Sequence, residues 1–115
     1  MSSRIHRVTL FKLPNPPDQQ KLLEAYKVLE RDHKNEDGKP YILSMKTGVT
    51  LSDPRSWGWT VVNKAEFASL EDMQYYDKQC KAHAELKEKV KALELQGGVP
   101  RGIMVVYFEA DPFTL

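Results

Sequence analysis

Four segments of the chain carry the patterns of apolar, β-branched and aromatic residues that are typical of β-strands. In the first of them, Val8 and Leu10 alternate with Arg7 and Thr9, and β-branched residues are frequent. The other three are also rich in β-branched and aromatic residues and are bounded by Pro and Gly. The patterns predict strands over residues 5–12, 41–51, 57–67 and 102–110.

Apolar residues recur at helical spacing in a fifth segment. Leu22, Tyr26 and Leu29 are spaced by four and three residues, and Leu23 lies three residues before Tyr26. The prolines that open this segment suit the first turn of a helix, where the missing N–H groups are not needed. A helix over residues 16–33 is therefore predicted.

A second helix is predicted to begin near Ser69. Asp72 follows Ser69 by three residues, and the two resemble a capping pair. Helical spacing continues to about Leu95, with an irregularity expected near Lys78–Lys81, and glycines follow where the helix should end.

The order of the predicted elements is β-α-β-β-α-β. This is the ferredoxin-like arrangement of the α+β class, in which both helices cover one face of a four-stranded antiparallel sheet. We expect a single domain over residues 1–115, with its core at about 4–110.

The last strand is apolar on both of its faces. Ile103, Val105 and Tyr107 alternate with another apolar set that includes Val106. Two helices can cover only one face of the sheet, and a large apolar face in water is unusual for a monomer. The pattern therefore predicts a homodimer in which a second copy covers the other face.

Composition excludes several classes of protein. The chain has 17 Lys and Arg against 16 Asp and Glu, so its net charge of +1 offers no basic surface for nucleic acid. The single cysteine, Cys80, cannot form an internal disulfide. No apolar run approaches the ~20 residues of a membrane span. We expect a cytoplasmic protein that binds neither nucleic acid nor membrane.

His83 is the main candidate for chemistry. Met73, Tyr76, Cys80 and His83 share one face of the predicted helix, so His83 should point inward. A desolvated imidazole stays neutral near pH 7, as a general base must. A core histidine bonded to a backbone carbonyl explains the same pattern, and both readings stay open. Tyr76 is expected to donate a hydrogen bond to a substrate carbonyl or else to fill the core.

Other polar residues have weaker cases. His6 shares a strand face with Val8 and Leu10, so it lies either at the mouth of a sheet–helix cavity or at the surface. Asn63 either orients a ligand or satisfies a buried backbone group. Cys80 is expected to be a small buried residue and not a nucleophile. The scattered histidines lack the spacing of metal ligands, so no metal and no cofactor is expected.

Three short motifs together resemble the family of stress-responsive dimeric α/β-barrel proteins. A histidine lies at the start of the first strand, in IHRVTLFKL. The pattern F-x-S-x-x-D-x-x-x-Y occurs as FASLEDMQYY, and a histidine follows in CKAH. The resemblance covers about residues 4–110. It implies that two ferredoxin-like protomers pack sheet against sheet into a barrel.

The resemblance also implies a chemistry. Some members of the family accumulate under stress and have no assigned activity, and others are cofactor-independent polyketide cyclases. In such a cyclase a helix histidine acts as base and a tyrosine about two turns earlier assists it. His83 and Tyr76 match those positions, with one residue more between them, and Tyr26 matches a pocket tyrosine. Cys80 and Lys81 stand where the cyclase has a His-Pro pair.

These observations favour a cofactor-free aldol-type cyclase or lyase that acts on a polyketide-like molecule. Its cavity is expected between sheet and helices and to be lined by Val8, Leu10, Leu23, Tyr26, Val61, Tyr76 and His83. A non-enzymatic stress-accumulated dimer remains an alternative. A cofactor-free monooxygenase of the same fold, or an RNA-binding module with the same element order, is less favoured.

Overall fold

The predicted order of strands and helices is the order that the structure shows. The computed structural model describes residues 4–110. Its elements are β1 (Ile5–Phe11), α1 (Pro16–Asp32), β2 (Ile42–Val49), β3 (Val61–Phe67), α2 (Leu70–Lys78), α3 (Lys81–Lys91), α4 (Gly98–Arg101) and β4 (Ile103–Glu109). The second predicted helix is thus divided into α2 and α3, and α4 is a single short turn before the last strand.

The four strands form one antiparallel sheet in the order β2-β3-β1-β4. β1 lies between β3 and β4, so that Thr9 faces Asn63 on one side and Val105 on the other. The helices pack on one face of this sheet, and the buried residues of both layers form a single core. The fold is therefore α+β and ferredoxin-like, as the sequence predicts.

The two faces of the central strand β1 differ sharply in burial, whereas β4 is largely exposed on both of its faces. The odd-numbered residues of β1 are buried against the helices, on what we call the covered face. The even-numbered residues are only half-buried, on what we call the open face. By the strand register, the open face consists of His6, Val8, Leu10, Ser44, Lys46, Gly48, Val62, Lys64, Glu66, Met104, Val106 and Phe108.

β3 begins four residues later than predicted. The side chain of Asp53 accepts a hydrogen bond from the backbone N–H of Arg55 and opens a 3₁₀ turn. Trp57 then adopts a left-handed conformation with φ 51° and is 80% exposed. The predicted start of this strand at residue 57 is therefore wrong, because a long turn occupies this part of the hairpin.

The expected irregularity in the second helix is a complete break. Ser69 caps α2, and its hydroxyl oxygen accepts from the N–H of Asp72 at 3.1 Å. Gln79 ends α2 with non-helical backbone angles. Cys80 is extended and is the N-cap residue of α3. In the part of the chain that the structure describes, no helix is long and apolar enough to cross a bilayer.

Candidate active site

A mainly apolar cavity of about 290 Å³ lies between the covered face of the sheet and α3. Its floor comes from β1, its walls from α1 and α3, and one side from β4. The lining residues are Arg7, Thr9, Phe11, Tyr26, His83, Leu86, Lys87, Val90, Lys91, Val99, Ile103 and Val105. Its volume is at the low end of the roughly 300–1,000 Å³ of small-molecule sites.

A larger depression of about 460 Å³ lies elsewhere, between the α1–β2 connection and α2. It is lined almost wholly by polar side chains such as Asp37, Glu71 and Asp72. Reactions that depend on excluded water require an enclosed, mainly apolar site, so the smaller cavity is the better candidate.

His83 contributes the one imidazole that borders the apolar cavity. The residue is only 4% exposed, and its Nδ1 lies 2.8 Å from the backbone carbonyl oxygen of Tyr76. A carbonyl oxygen only accepts, so Nδ1 carries the hydrogen and Nε2 is the unprotonated nitrogen. Within the described residues Nε2 has no hydrogen-bond partner. The ring is thus fixed in the tautomer that leaves its basic nitrogen available.

The break between α2 and α3 makes this hydrogen bond possible. In an uninterrupted helix the carbonyl of Tyr76 would accept from the N–H of Cys80. That N–H instead bonds to the carbonyl of Tyr75, at 2.9 Å. The Tyr76 carbonyl therefore has no partner within the helix, and the direction of α3 places His83 within hydrogen-bond distance of it.

The ring of Tyr76 also supports the imidazole. The two rings are stacked, with centroids 3.7 Å apart and planes 9° apart. Tyr76 is fully buried and does not line the cavity, and its hydroxyl has no hydrogen-bond partner among the described residues. The expectation that Tyr76 lines the cavity is corrected, because His83 lies over its ring.

Burial sets the protonation state of His83. Desolvation lowers the pKa of the imidazole to about 3, and the nearby cations Lys87 and Arg7 add to this effect. The hydrogen bond to the Tyr76 carbonyl opposes it. The ring is therefore neutral throughout the physiological pH range.

Arg7 is the unexpected residue of the site. Its side chain is buried on the covered face, where Nη2 lies 2.8 Å from Asp77 Oδ1 and Nη1 donates to Thr9 Oγ1 at 2.6 Å. The guanidinium also lies 5.1 Å from the centroid of the Tyr76 ring. In the sequence, Arg7 and Thr9 read as the solvent-facing positions of an amphipathic strand, so no local signal identifies them.

Three residues expected in or beside the cavity lie on the opposite side of the sheet. Val8 and Leu10 are on the open face, and so is His6, whose ring stacks on Phe108 at 5.2 Å. The prediction that Val8 and Leu10 line the cavity, with His6 at its mouth, is therefore wrong. β1 alternates as its sequence predicts, but the side that carries Val8 and Leu10 faces away from the helices.

The remaining expected residues divide between the cavity and the core. Tyr26 lines the cavity, and burial raises its pKa above the usual value. Val61 and Asn63 are on the covered face but fully buried outside the cavity, and Asn63 Nδ2 donates to Thr47 Oγ1 at 2.8 Å. Leu23 is half-buried on α1, away from the lining.

Cys80 is a buried free thiol that does not line the cavity. Its side chain lies beside the Tyr41 hydroxyl, where burial and the thiol both raise the pKa of the phenol. Across residues 4–110, no cluster of three or more His, Cys, Asp or Glu side chains is placed to hold a metal ion.

Comparison with known proteins identifies relatives at two levels. The stress responsive A/B barrel domain matches residues 5–99. A protein of Gibberella zeae described as a fusaristatin A biosynthesis cluster protein is 43% identical over 109 residues, which are 95% of this chain and 75% of that protein.

Two solved structures show the same fold at low sequence identity. A dimeric ferredoxin-like protein of unknown function from Jannaschia sp. CCS1 has a TM-score of 0.74 at 15% identity, covering 93% of this chain and 99% of that one. A hydroxynitrile lyase from Passiflora edulis has a TM-score of 0.73 at 13% identity, covering 98% of each chain.

Proposed function

The chain belongs to the stress responsive A/B barrel domain family, and we propose that it is a cofactor-independent cyclase or lyase of small-molecule biosynthesis. His83 is the proposed general base. The observation that carries the proposal is the hydrogen bond from His83 Nδ1 to the Tyr76 carbonyl, which leaves Nε2 as an unprotonated nitrogen in a ring that borders an apolar cavity. The relative from a biosynthesis cluster supports a role of this kind.

The proposed reaction is an intramolecular aldol condensation of a polyketide-like chain. His83 Nε2 takes a proton from a carbon between two carbonyl groups, and the carbanion attacks another carbonyl of the same chain. The resulting alkoxide recovers the proton from the imidazolium, and loss of water follows. A positioned base contributes typically 10²–10⁴-fold to such a step.

The hydrogen-bond donor of this reaction is Tyr26. Its ring lines the cavity, and its raised pKa keeps the phenol protonated so that it can donate to the developing oxyanion. Tyr76 instead acts through His83, since its carbonyl and ring hold the imidazole while its own hydroxyl is buried outside the cavity.

We further propose that the open face is the contact surface of a homodimer. Met104, Val106 and Phe108 are 42%, 48% and 48% exposed there, and Val8 and Leu10 lie beside them. Such a contiguous apolar surface is unusual on a monomer. The ferredoxin-like relative from Jannaschia is described as dimeric, which supports the assignment.

The proposed reaction is tested with the sodium salt of linear 3,5,7-trioxooctanoic acid. Mass spectrometry follows formation of the dehydrated cyclic product above the protein-free rate. We expect His83→Gln to lose about 10²–10⁴ in rate, because glutamine can occupy the site but cannot act as a base.

Lys89→Gln is the matched control, since Lys89 lies on the same helix but does not line the cavity. It should retain the wild-type rate. If His83→Gln is folded and cyclises as fast as wild type, or if wild type cyclises no faster than buffer, the proposed function is wrong.

A further inference from the structure

The described side chains that line the cavity offer more hydrogen-bond donors than acceptors, and their charged groups are cations. Arg7, Lys87 and Lys91 line it, and no Asp or Glu is found among its described lining residues. The oxygen of Thr9 already accepts from Arg7, so its hydroxyl hydrogen is free to donate. His83 Nε2 can accept a hydrogen bond, but it is the proposed general base and is therefore not counted as a ligand-binding acceptor. A ligand that fits this inventory must bring acceptor oxygens.

Arg7 has more donor capacity than its partners use. A guanidinium has five N–H groups, and the bonds to Thr9 and Asp77 occupy two of them. Its Nε is buried and has no acceptor among residues 4–110. A buried donor of a charged group without a partner is costly, and an anionic oxygen in the cavity would satisfy it.

Lys87 extends this positive charge along α3, and Lys91, whose ammonium group pairs with Glu88 at 2.9 Å, lies one turn further on. Lys87 and Lys91 follow His83 at intervals of four residues, which places all three on one side of the helix. Lys87 Nζ donates to the backbone oxygen of Asp77 at 2.7 Å, so its ammonium group is held beside the carboxylate residue that pairs with Arg7. Phe11, Leu86 and Val90 form apolar wall next to these cations.

We propose that the substrate binds as an anion: an apolar acyl chain that ends in a free carboxylate, with the carboxylate between Arg7 and Lys87. The chain lies against Phe11, Leu86 and Val90. This inference rests on the proposed function, because the carboxylate is held in the cavity that contains the base.

The same arrangement explains how His83 can act as a base although its pKa is far below the usual value. Arg7 and Lys87 are two of the groups that lower the basicity of His83. A bound carboxylate would neutralise part of their charge and would stabilise the imidazolium formed when the proton is taken. Substrates with a carboxylate would therefore activate the base that acts on them, whereas neutral analogues would not.

The test compares octanoate with octanamide, which have the same chain and differ in charge. Titration calorimetry at pH 7.5 and low salt should show octanoate binding at least about tenfold more tightly, the effect of one strong charge-assisted hydrogen bond. The preference should decline as NaCl is added, because salt screens the cations at the mouth.

Variants locate the anion site. Lys87→Gln should weaken octanoate binding about three- to tenfold and leave octanamide binding unchanged. Lys89→Gln is the matched control and should change neither. Arg7→Gln should abolish the preference for the carboxylate. If that variant does not fold, the Lys87 and Lys89 pair and the two ligands decide the question.

Three results would overturn the inference: equal binding of octanoate and octanamide, no binding of octanoate at millimolar concentration, or equal effects of the Lys87 and Lys89 changes. The failure of the proposed function looks different. In that case octanoate is preferred by both wild type and His83→Gln, but the trioxo substrate is never cyclised.

Discussion

The imidazole of His83 lies flat against the ring of Tyr76, 3.7 Å from centroid to centroid, while its Nδ1 contacts the carbonyl oxygen of the same residue at 2.8 Å. One residue thus fixes the plane of the imidazole and its tautomer. The contact depends on the helix break, since the backbone N–H of Cys80 bonds to Tyr75 and leaves the Tyr76 carbonyl free. By this arrangement we expect Tyr76 to position the imidazole through its carbonyl and ring, without a role for its hydroxyl.

Removal of the Tyr76 hydroxyl should therefore have little effect on activity. Tyr76→Phe keeps the carbonyl and the stacked ring and deletes a buried hydroxyl without a partner, so the free energy of unfolding should change by less than about 1 kcal/mol. Tyr26→Phe should slow cyclisation by about tenfold or more, because it removes a donor that lines the cavity. Rates and urea unfolding curves of both variants check this. A larger loss in Tyr76→Phe than in Tyr26→Phe would contradict it.

The depressed pKa of His83 predicts a loss of stability in acid. Its folded-state pKa of about 3 lies below its ordinary value of 6.5, so between these limits the unfolded chain binds a proton that the folded chain does not. The stability from the neutral ring is complete above pH 6.5 and declines as the pH falls toward 3. Between pH 6.5 and 5 the loss should be about 2 kcal/mol.

Urea unfolding of wild type and His83→Gln at several pH values measures this contribution directly. The free energy of unfolding should fall less steeply between pH 6.5 and 5 in His83→Gln than in wild type. His33→Gln is the comparison, because burial lowers the pKa of His33 too, but this residue lies beside Tyr41 and does not line the cavity. Equal slopes in wild type and His83→Gln would show that the ring is not desolvated as described.

Substitutions of two adjacent valines on β4 should distinguish effects on the dimer surface from effects on the cavity. Val106 pairs with Val8 on the open face, and Val105 lines the cavity on the covered face. Val106→Asp should dissociate the proposed dimer or cause aggregation, because it places a charge in an apolar contact. Val105→Asp should leave the dimer intact and weaken ligand binding. Sedimentation velocity at micromolar concentration distinguishes them, and a monomeric wild type would refute the dimer.

Gly102 should not tolerate a side chain. A Cβ atom there would lie 2.8 Å from Leu95 Cβ and 2.9 Å from two backbone oxygens, so the chain before β4 would have to move. Gly102→Ala should lower the free energy of unfolding by about 1–3 kcal/mol. Thermal unfolding compares this variant with wild type, and an unchanged melting temperature would contradict the expected crowding.

Much of the fold follows from local patterns in the sequence. The strand patterns and the helical stripes predict all four strands and the order of the elements along the chain, because side-chain periods of 2 and 3.6 are properties of the backbone. The serine cap of α2 is also encoded locally, since Ser69 precedes Asp72 by three residues and accepts a hydrogen bond from its N–H. The sequence also predicts that His83 points inward, since it continues an apolar helical stripe, and the residue is buried in the structure.

The tertiary structure decided which face of β1 meets the helices. Alternation distinguishes the two faces of a strand but does not say which layer covers each of them. Arg7 and Thr9 can be buried because Asp77, seventy residues later, pairs with the guanidinium, and Val8 and Leu10 consequently lie on the open face. That pairing is a long-range contact between α2 and β1, and no local pattern reveals it. It is also what places a cation beside His83 in the cavity.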